Sequence, residues 1–440
     1  MPWFSGPVAG HSAVPSAMAE SAGAEPASLL REPFRGNPID IDVDEDEGYA
    51  KLMRLPVSLA GVLLCASLAG AQETSPEDLF NQAHQAQQSG KNELAVQKYK
   101  ELIQIHPEVV AAHANLGVVL VSLGRYDEAI AEYHVALTEA PSSPPLVLDL
   151  ALAYYKKGDF AAAASHLAAL HKENPSDVRI ATLLGKCETQ LGLIGQALAV
   201  LEPLEKSNGD NLDLEWALGT AMLRAGENLE GVKRIQKVAD QAQNAEAYQL
   251  AANVYLGLTF FDNARRDAET VLRLNPKSPK AHIVLGMIDD FAGDANAAAE
   301  EYQKALEIDP NDMQARVQLA TALYAQRKLA AARQEATRVL NAVPDASGAL
   351  FIVAQVELAE GKLQEAQKDF EKVTQENPDW IQPHVQLSAL YYRLKRPADG
   401  DKERAIVDRL RDQEQKRREQ AHVVSPQVAP QTVSPEIPPQ

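Results

Sequence analysis

The side chains that could carry chemistry in this chain are its histidines, its carboxylates and two cysteines. Among ten histidines, His166 and His171 lie five residues apart, and no carboxylate joins them at the spacing of a zinc site. The sequence contains no H-E-x-x-H, G-x-S-x-G, G-x-x-x-x-G-K-[ST] or G-x-G-x-x-G motif. Carboxylates recur at i, i+4 spacing, which is typical of exposed helix faces. We therefore expect a non-enzymatic protein with no bound metal and no cofactor.

Charge and cysteine usage exclude further classes of function. The net charge of −19 at pH 7 makes nucleic acid a poor partner, and it is most simply a solvated surface that keeps the chain soluble. The two cysteines, Cys65 and Cys187, cannot form a disulfide framework or a cysteine-based metal site. Cys187 is predicted to lie in a helix as a small core residue.

The elements that would position any site are marked by small residues at two phases of a 34-residue period. The first set is Ala83, Gly117, Ala151, Gly185, Gly219, Ala252, Gly286, Ala320, Ala354 and Ser388. The second set follows twelve positions later at Ala95, Ala129, Ala163, Ala197, Gly231, Ala264, Ala298, Ala332, Ala366 and Gly400. Larger side chains there would keep two antiparallel helices apart, so the period predicts a helix hairpin stacked on copies of itself.

Other residues punctuate the same period. Prolines stand where the units end, at Pro107, Pro141, Pro175, Pro276, Pro310, Pro344 and Pro378. Glycines stand between the two helices of a unit, at the left-handed position that ends the first helix: Gly90, Gly124, Gly158, Gly192, Gly226, Gly293 and Gly361. Bulky residues, predicted to fill the space left by the small ones, follow at Tyr99, Tyr133, Leu167, Leu201, Ile235, Tyr302 and Phe370.

This combination of period and punctuation resembles the tetratricopeptide repeat (TPR). Gly293 to Pro310 (GDANAAAEEYQKALEIDP) and Gly124 to Pro141 (GRYDEAIAEYHVALTEAP) are similar to the family consensus. The tryptophan often found early in that consensus is replaced by Leu79, His113, Tyr248, His282 and others. The resemblance implies an all-α fold, a right-handed superhelical solenoid of about ten antiparallel helix hairpins, with the repeat array at 76–397.

The array has atypical junctions and an atypical end. Two units lack the closing proline, so we expect the junctions at 205–212 and 240–246 to be soft, or else to vary without mechanical meaning. Residues 398–420 are predicted to form a terminal capping helix that packs through Ala405, Ile406 and Leu410. Residues 421–440 are rich in proline and are predicted to be a disordered tail.

An export signal is predicted before the array. Residues 53–71 (MRLPVSLAGVLLCASLAGA) combine an arginine, a short apolar run and an A-x-A site, which predicts a signal peptide cleaved after Ala71. The run is too short to span a membrane, so we expect no transmembrane segment in the mature chain. Leu64 before Cys65 does not favour a lipoprotein. Residues 1–52 read as a disordered extension, either a mis-assigned start before Met53 or a genuine cytoplasmic segment.

The resemblance also implies a binding surface, because the first helix of each TPR unit lines the concave side. The predicted groove residues, which we expect to contact a partner or else to pack on the neighbouring unit, are Phe80, Leu148, Tyr155, Trp216, Leu223, Ile283, Met287, Tyr324, Phe351 and Tyr392. Counted from the start of each repeat unit, the fifth and ninth residues lie on this face, and Lys186 is the sole lysine among them. The groove therefore does not favour the carboxylate clamp that chaperone-binding TPR domains use.

These features predict a non-catalytic protein–protein interaction scaffold of the cell envelope. Its partner would be a protein or peptide with an apolar or amphipathic segment, and its location the periplasm or the exterior. Two alternatives remain open: a regulatory or assembly subunit of an envelope enzyme complex, and a cytoplasmic adaptor if Met1 is the true start.

Overall fold

The computed structural model describes residues 75–424, with side chains as far as Lys416. Within this range the chain forms twenty α-helices and no strand. The helices belong to two compact units that divide between Asn275 and Pro276. The predicted segments 1–52 and 53–71, and residues 425–440 of the predicted tail, lie outside the described residues.

The first unit consists of six helix hairpins in which each helix packs on the next along the chain. Its helices are α1 Pro76–Gln88, α2 Asn92–Ile105, α3 Val110–Ser122, α4 Tyr126–Glu139, α5 Pro144–Lys157, α6 Phe160–Glu173, α7 Val178–Gln190, α8 Ile194–Asn208, α9 Leu212–Ala225, α10 Asn228–Ala242, α11 Ala245–Gly257 and α12 Phe261–Leu274. The chain enters α1 through Ser75, whose hydroxyl accepts a hydrogen bond from the Asp78 amide as an N-cap.

The second unit repeats the same arrangement in four hairpins. Its helices are α13 Pro279–Phe291, α14 Ala295–Ile308, α15 Met313–Ala325, α16 Leu329–Ala342, α17 Ser347–Ala359, α18 Leu363–Glu376, α19 Ile381–Arg393 and α20 Pro397–Val424. The prediction of an all-α fold built from stacked helix hairpins is confirmed within each unit.

The core of each hairpin forms where a small residue meets a bulky one. The small residues of both sets are buried, and the seven bulky residues have no exposed surface. A methyl group on Gly117 would stand 2.6 Å from the Tyr133 ring, and one on Gly286 would stand 2.7 Å from the Tyr302 ring. The prediction that the bulky side chains fill the space left by the small residues is therefore confirmed.

The turn between the two helices of a hairpin requires a left-handed residue. Each of the seven glycines predicted for this turn has a positive φ, between 69° and 86°. In three other hairpins the same position holds Thr259, Arg327 or Lys395, with φ between 58° and 61°. The sequence therefore does not mark these three turns with a glycine. The packing of the two flanking helices holds the left-handed conformation there.

The two junctions without proline are built differently from each other. Helix α8 continues through Pro203 to Asn208, and the chain then passes through Gly209 to the N-cap Asn211. The second junction is shorter, because Gln243 adopts a left-handed conformation and Asn244 caps α11 directly. Their softness stays a prediction.

The last helix is longer than predicted, running Pro397–Val424 instead of 398–420. Its packing residues also differ from the prediction. Val407 and Leu410 are buried, whereas Ala405 is exposed and Ile406 is half-buried. Val407 and Leu410 lie three residues apart and share the helix face that packs on α19. Among residues 75–424, no helix has the length and apolar character needed to cross a membrane.

Candidate protein-binding surface

The predicted groove residues all lie on first helices of hairpins. Phe80, Leu148, Tyr155, Trp216 and Leu223 belong to α1, α5 and α9 of the first unit, whereas Ile283, Met287, Tyr324, Phe351 and Tyr392 belong to α13, α15, α17 and α19 of the second. First helices of consecutive hairpins also touch directly, as α7 and α9 do in the first unit and α15 and α17 in the second. Each unit therefore presents a surface made of adjacent first helices.

Four of the predicted groove residues are almost closed off from solvent. Trp216 is 9% exposed, Phe351 is 8% exposed, and Ile283 and Met287 are each 6% exposed. The Phe351 ring lies 5.6 Å from the Phe370 ring of α18 and 4.8 Å from the Trp380 ring, measured between centroids. These side chains stabilise the stack, and a partner would reach only their edges.

Two of the predicted groove residues face the second helix of their own hairpin. A methyl group on Gly231 would stand 2.8 Å from Cγ of Leu223, and one on Gly400 would stand 3.0 Å from Cε2 of Tyr392. The small residue of the second helix therefore makes room for these side chains. Tyr392 remains 42% exposed, and its hydroxyl donates to Oδ1 of Asp401 over 2.5 Å.

The other four predicted groove residues are half-buried and offer apolar surface to a ligand. Phe80 lies edge-on to Tyr99 with 5.8 Å between centroids, and Tyr155 lies edge-on to Phe160 with 5.6 Å. Leu148 joins the same core as Tyr155. Within the described residues the Tyr324 hydroxyl makes no hydrogen bond, and burial raises its pKa. A half-buried ring with an unused hydroxyl is a suitable contact for a partner.

The structure gives Lys186 a partner inside the chain. Its Nζ lies 3.5 Å from the Asp213 carboxylate, and the side chain is 17% exposed. A peptide carboxylate would have to compete with Asp213 for this lysine. The geometry therefore agrees with the sequence in not favouring a carboxylate clamp.

Exposed apolar side chains at the turns of the first unit were not predicted from the sequence. Leu191 is 40% exposed, Leu193 42%, Leu229 44% and Phe260 45%. Two of these residues could have been found by comparing the same position in all ten repeat units. The position of Leu193 and Phe260 holds a charged residue in the other units, namely Lys91, Arg125, Asp159, Glu227, Asp294, Lys328, Lys362 and Arg396.

Groups able to bind a metal or to act as nucleophiles do not converge in the described part of the chain. Across residues 75–416 no three side chains of the His, Cys, Asp or Glu type cluster as ligands would. Cys187 is fully buried, and burial raises the pKa of its thiol to about 12. The thiol is therefore protonated at neutral pH and inert.

Comparison with known families gives one consistent result. Two sequence models described as "Tetratricopeptide repeat" match this chain, one at residues 123–187 and 292–351 and the other at residues 80–144 and 250–312. The matched ranges fall on the hairpins described above, in both units.

Curated relatives resemble only parts of the chain. The Hsp70-Hsp90 organizing protein of Triticum aestivum is 25% identical over 233 residues, which is 50% of this chain and 39% of that protein. A probable biofilm formation methyltransferase of Pseudomonas putida, WspC, is 37% identical over 81 residues, 18% of this chain and 19% of that protein. The chain thus spans less than half the length of these relatives.

A solved structure of a tetratricopeptide repeat protein from Parabacteroides merdae aligns with 56% of this chain and 98% of its own length. The TM-score is 0.46 and the sequence identity is 18%.

Proposed function

This chain belongs to the tetratricopeptide repeat family, and we propose that it is a non-catalytic protein–protein interaction scaffold of the cell envelope. The partner would be a protein whose apolar or amphipathic segment lies along the first helices of the hairpins. The likeness to the Hsp70-Hsp90 organizing protein supports a scaffold role. Envelope location rests on the signal-like sequence of residues 53–71.

The observation that carries the proposal is the presence, in each unit, of half-buried apolar side chains on first helices. Tyr155 and Leu148 on α5, Phe80 on α1 and Tyr324 on α15 are neither closed into the core nor fully in water. Such residues bury further apolar area when a ligand covers them, which is the main source of binding free energy. The Phe80 and Tyr155 rings pack against Tyr99 and Phe160, so they lose little conformational entropy on binding.

A second candidate is a non-catalytic subunit of an envelope enzyme complex. The likeness over 81 residues to a protein named as a methyltransferase supports this candidate. It indicates that a segment similar to this chain occurs in a protein named for an enzymatic activity. Co-purification with one enzyme in a fixed ratio from envelope extracts would favour this candidate over a general scaffold. A cytoplasmic adaptor is the remaining alternative.

Site-specific crosslinking tests the proposed surface. A photo-crosslinking amino acid placed at Tyr324 in the native host should capture a partner that mass spectrometry identifies. The same group at Ile105, a side chain of the second helix α2 that is 60% exposed, is the control and should capture nothing specific. With the partner known, Tyr324→Ala should weaken its binding about tenfold, and Ile105→Ala should leave it unchanged.

Equal capture from both positions, or unchanged binding by Tyr324→Ala, would contradict the proposed surface. Trp216 is a poorer probe, because a side chain only 9% exposed also supports the fold and its truncation would lower stability together with any binding. That Trp216 contacts a partner stays a prediction.

A further inference from the structure

Four hairpins share one polar contact between their two helices. In each, a side chain near the start of the first helix meets the glutamate that follows nineteen residues later on the second helix. The nitrogen–oxygen distances are 2.6 Å for His113–Glu132, 2.7 Å for His282–Glu301, 2.7 Å for Arg316–Glu335 and 2.5 Å for His384–Glu403. In each histidine, Nδ1 is the nitrogen that faces the carboxylate.

Three of these side chains make a second contact, to the loop that closes the preceding hairpin. Nε2 of His113 lies 3.0 Å from the Pro107 carbonyl oxygen, and Nε2 of His384 lies 3.2 Å from that of Pro378. The Arg316 guanidinium donates to the Pro310 carbonyl in the same way. One side chain therefore connects the second helix of its own hairpin to the end of the hairpin before it.

The chemistry of these contacts selects one protonation state of the imidazole. A carboxylate and a carbonyl oxygen both accept hydrogen bonds, so both ring nitrogens must donate to satisfy them, and only the protonated ring has two N–H groups. His113 and His384 are 5% and 4% exposed, which leaves little room for water to replace a lost bond. Arg316 meets the same two acceptors with a group that stays charged.

Several other titratable groups lie on the helices that form these contacts. Glu132 on α4 and Glu403 on α20 are the carboxylates that touch the two rings. On α5, burial raises the pKa of Asp149 to about 6, and Asp149 interacts with Tyr133 of α4.

Around His384, Tyr391 donates to Glu371 of α18 over 2.7 Å and packs under Arg396, 4.6 Å from the ring centroid. The carboxylate of Glu403 also contributes to the raised pKa of Tyr391.

We propose that His113 and His384 are proton-dependent ties, each of which joins a hairpin to its predecessor at acidic pH and releases one of its two acceptors when it loses its proton. Histidine is the side chain whose charge ordinarily changes near neutral pH. Only the ring with both nitrogens protonated donates to both acceptors, so loss of its proton breaks one of the two hydrogen bonds. The His282 ring contacts the Glu301 carboxylate through Nδ1, and Arg316 is a tie without a proton switch.

The double variant His113→Arg and His384→Arg tests the proposal against a geometry the chain already uses at Arg316. Hydrogen exchange followed by mass spectrometry, corrected for the intrinsic exchange rate, would be measured from pH 5.5 to 8.5 on the full chain. Protection of α3 and α4, and of α19 and α20, should fall about tenfold with rising pH in the unmodified protein. In the double variant it should stay constant.

Asp149 is present in both proteins, so its own titration cancels in the comparison. Parallel pH profiles for the two proteins would overturn the proposal. Should the double variant fail to fold, Arg316→His provides the reverse test. Protection of α15 and α16 should then become pH-dependent, and constant protection there would equally overturn the proposal.

Discussion

At the scale of single residues, the close approach of two helices at Gly185 leaves no room for a larger side chain at this position. A methyl group there would stand 2.6 Å from both Cδ1 and Cγ of Leu201, whose side chain is fully buried. Gly195 of α8 is also helical, but an added methyl would have no atom within 4 Å. The same substitution at the two sites therefore separates packing from helix propensity.

We predict opposite effects of Gly185→Ala and Gly195→Ala on the free energy of unfolding. The first should destabilise by about 1–3 kcal/mol, because Leu201 must leave its place in a filled core. The second should stabilise by about 0.5–1 kcal/mol, because alanine is the better helix former. Urea denaturation followed by far-UV circular dichroism measures both, and a neutral or stabilising Gly185→Ala would contradict the tight packing of Gly185 against Leu201.

Residue identities predicted the small, bulky and glycine positions, because each is a local steric requirement that recurs in every unit. The accessibility of the predicted groove residues could not be predicted in the same way. Trp216 and Tyr324 occupy related faces of their helices, yet one is closed and the other half-open. Both residues lie on first helices that touch another first helix, so their different exposure is decided by the packing around each side chain.

At the scale of elements, α10 holds the junction that lacks a closing proline. Lys237 donates to the Gly209 carbonyl and to Oε1 of Glu215, the latter over 2.7 Å. Arg234 donates to Oε1 of Glu205 over 2.6 Å. These cations lie on the second helix of the following hairpin, so the loop is tied by tertiary contacts where the sequence alone indicates flexibility.

Replacing Lys237 by methionine tests this role, with Lys233→Met in the same helix as its control. Glu215 is 4% exposed and would lose its nearest cation, so Lys237→Met should destabilise the junction by about 1 kcal/mol. Hydrogen exchange at residues 209–215 should accelerate. Lys233 is 65% exposed and pairs with Glu230 on its own helix, so its replacement should leave exchange unchanged.

Faster exchange in both variants, or in neither, would show that Lys237 does not hold the junction. A junction that already exchanges fast in the unmodified protein would instead support the softness predicted from the sequence.

At the scale of the whole molecule, the proposal of export depends on residues 53–71, which the structure does not describe. Export through a cleaved signal predicts that protein isolated from its native host begins at Gln72. Amino-terminal sequencing measures this directly. A product that retains Met1 would contradict export and would favour the cytoplasmic adaptor.

The sequence by itself determined the hairpins, their length, their core positions and most of their turns. Each of these follows from steric requirements within one repeat of about 34 residues. The same residue types therefore recur at the same positions in successive repeats. The tertiary structure decided which aromatic rings remain open to a partner, and it placed both nitrogens of His113 and His384 against acceptors. These outcomes depend on contacts between helices and between consecutive hairpins, where the spacing of residue types along the chain carries no distance information.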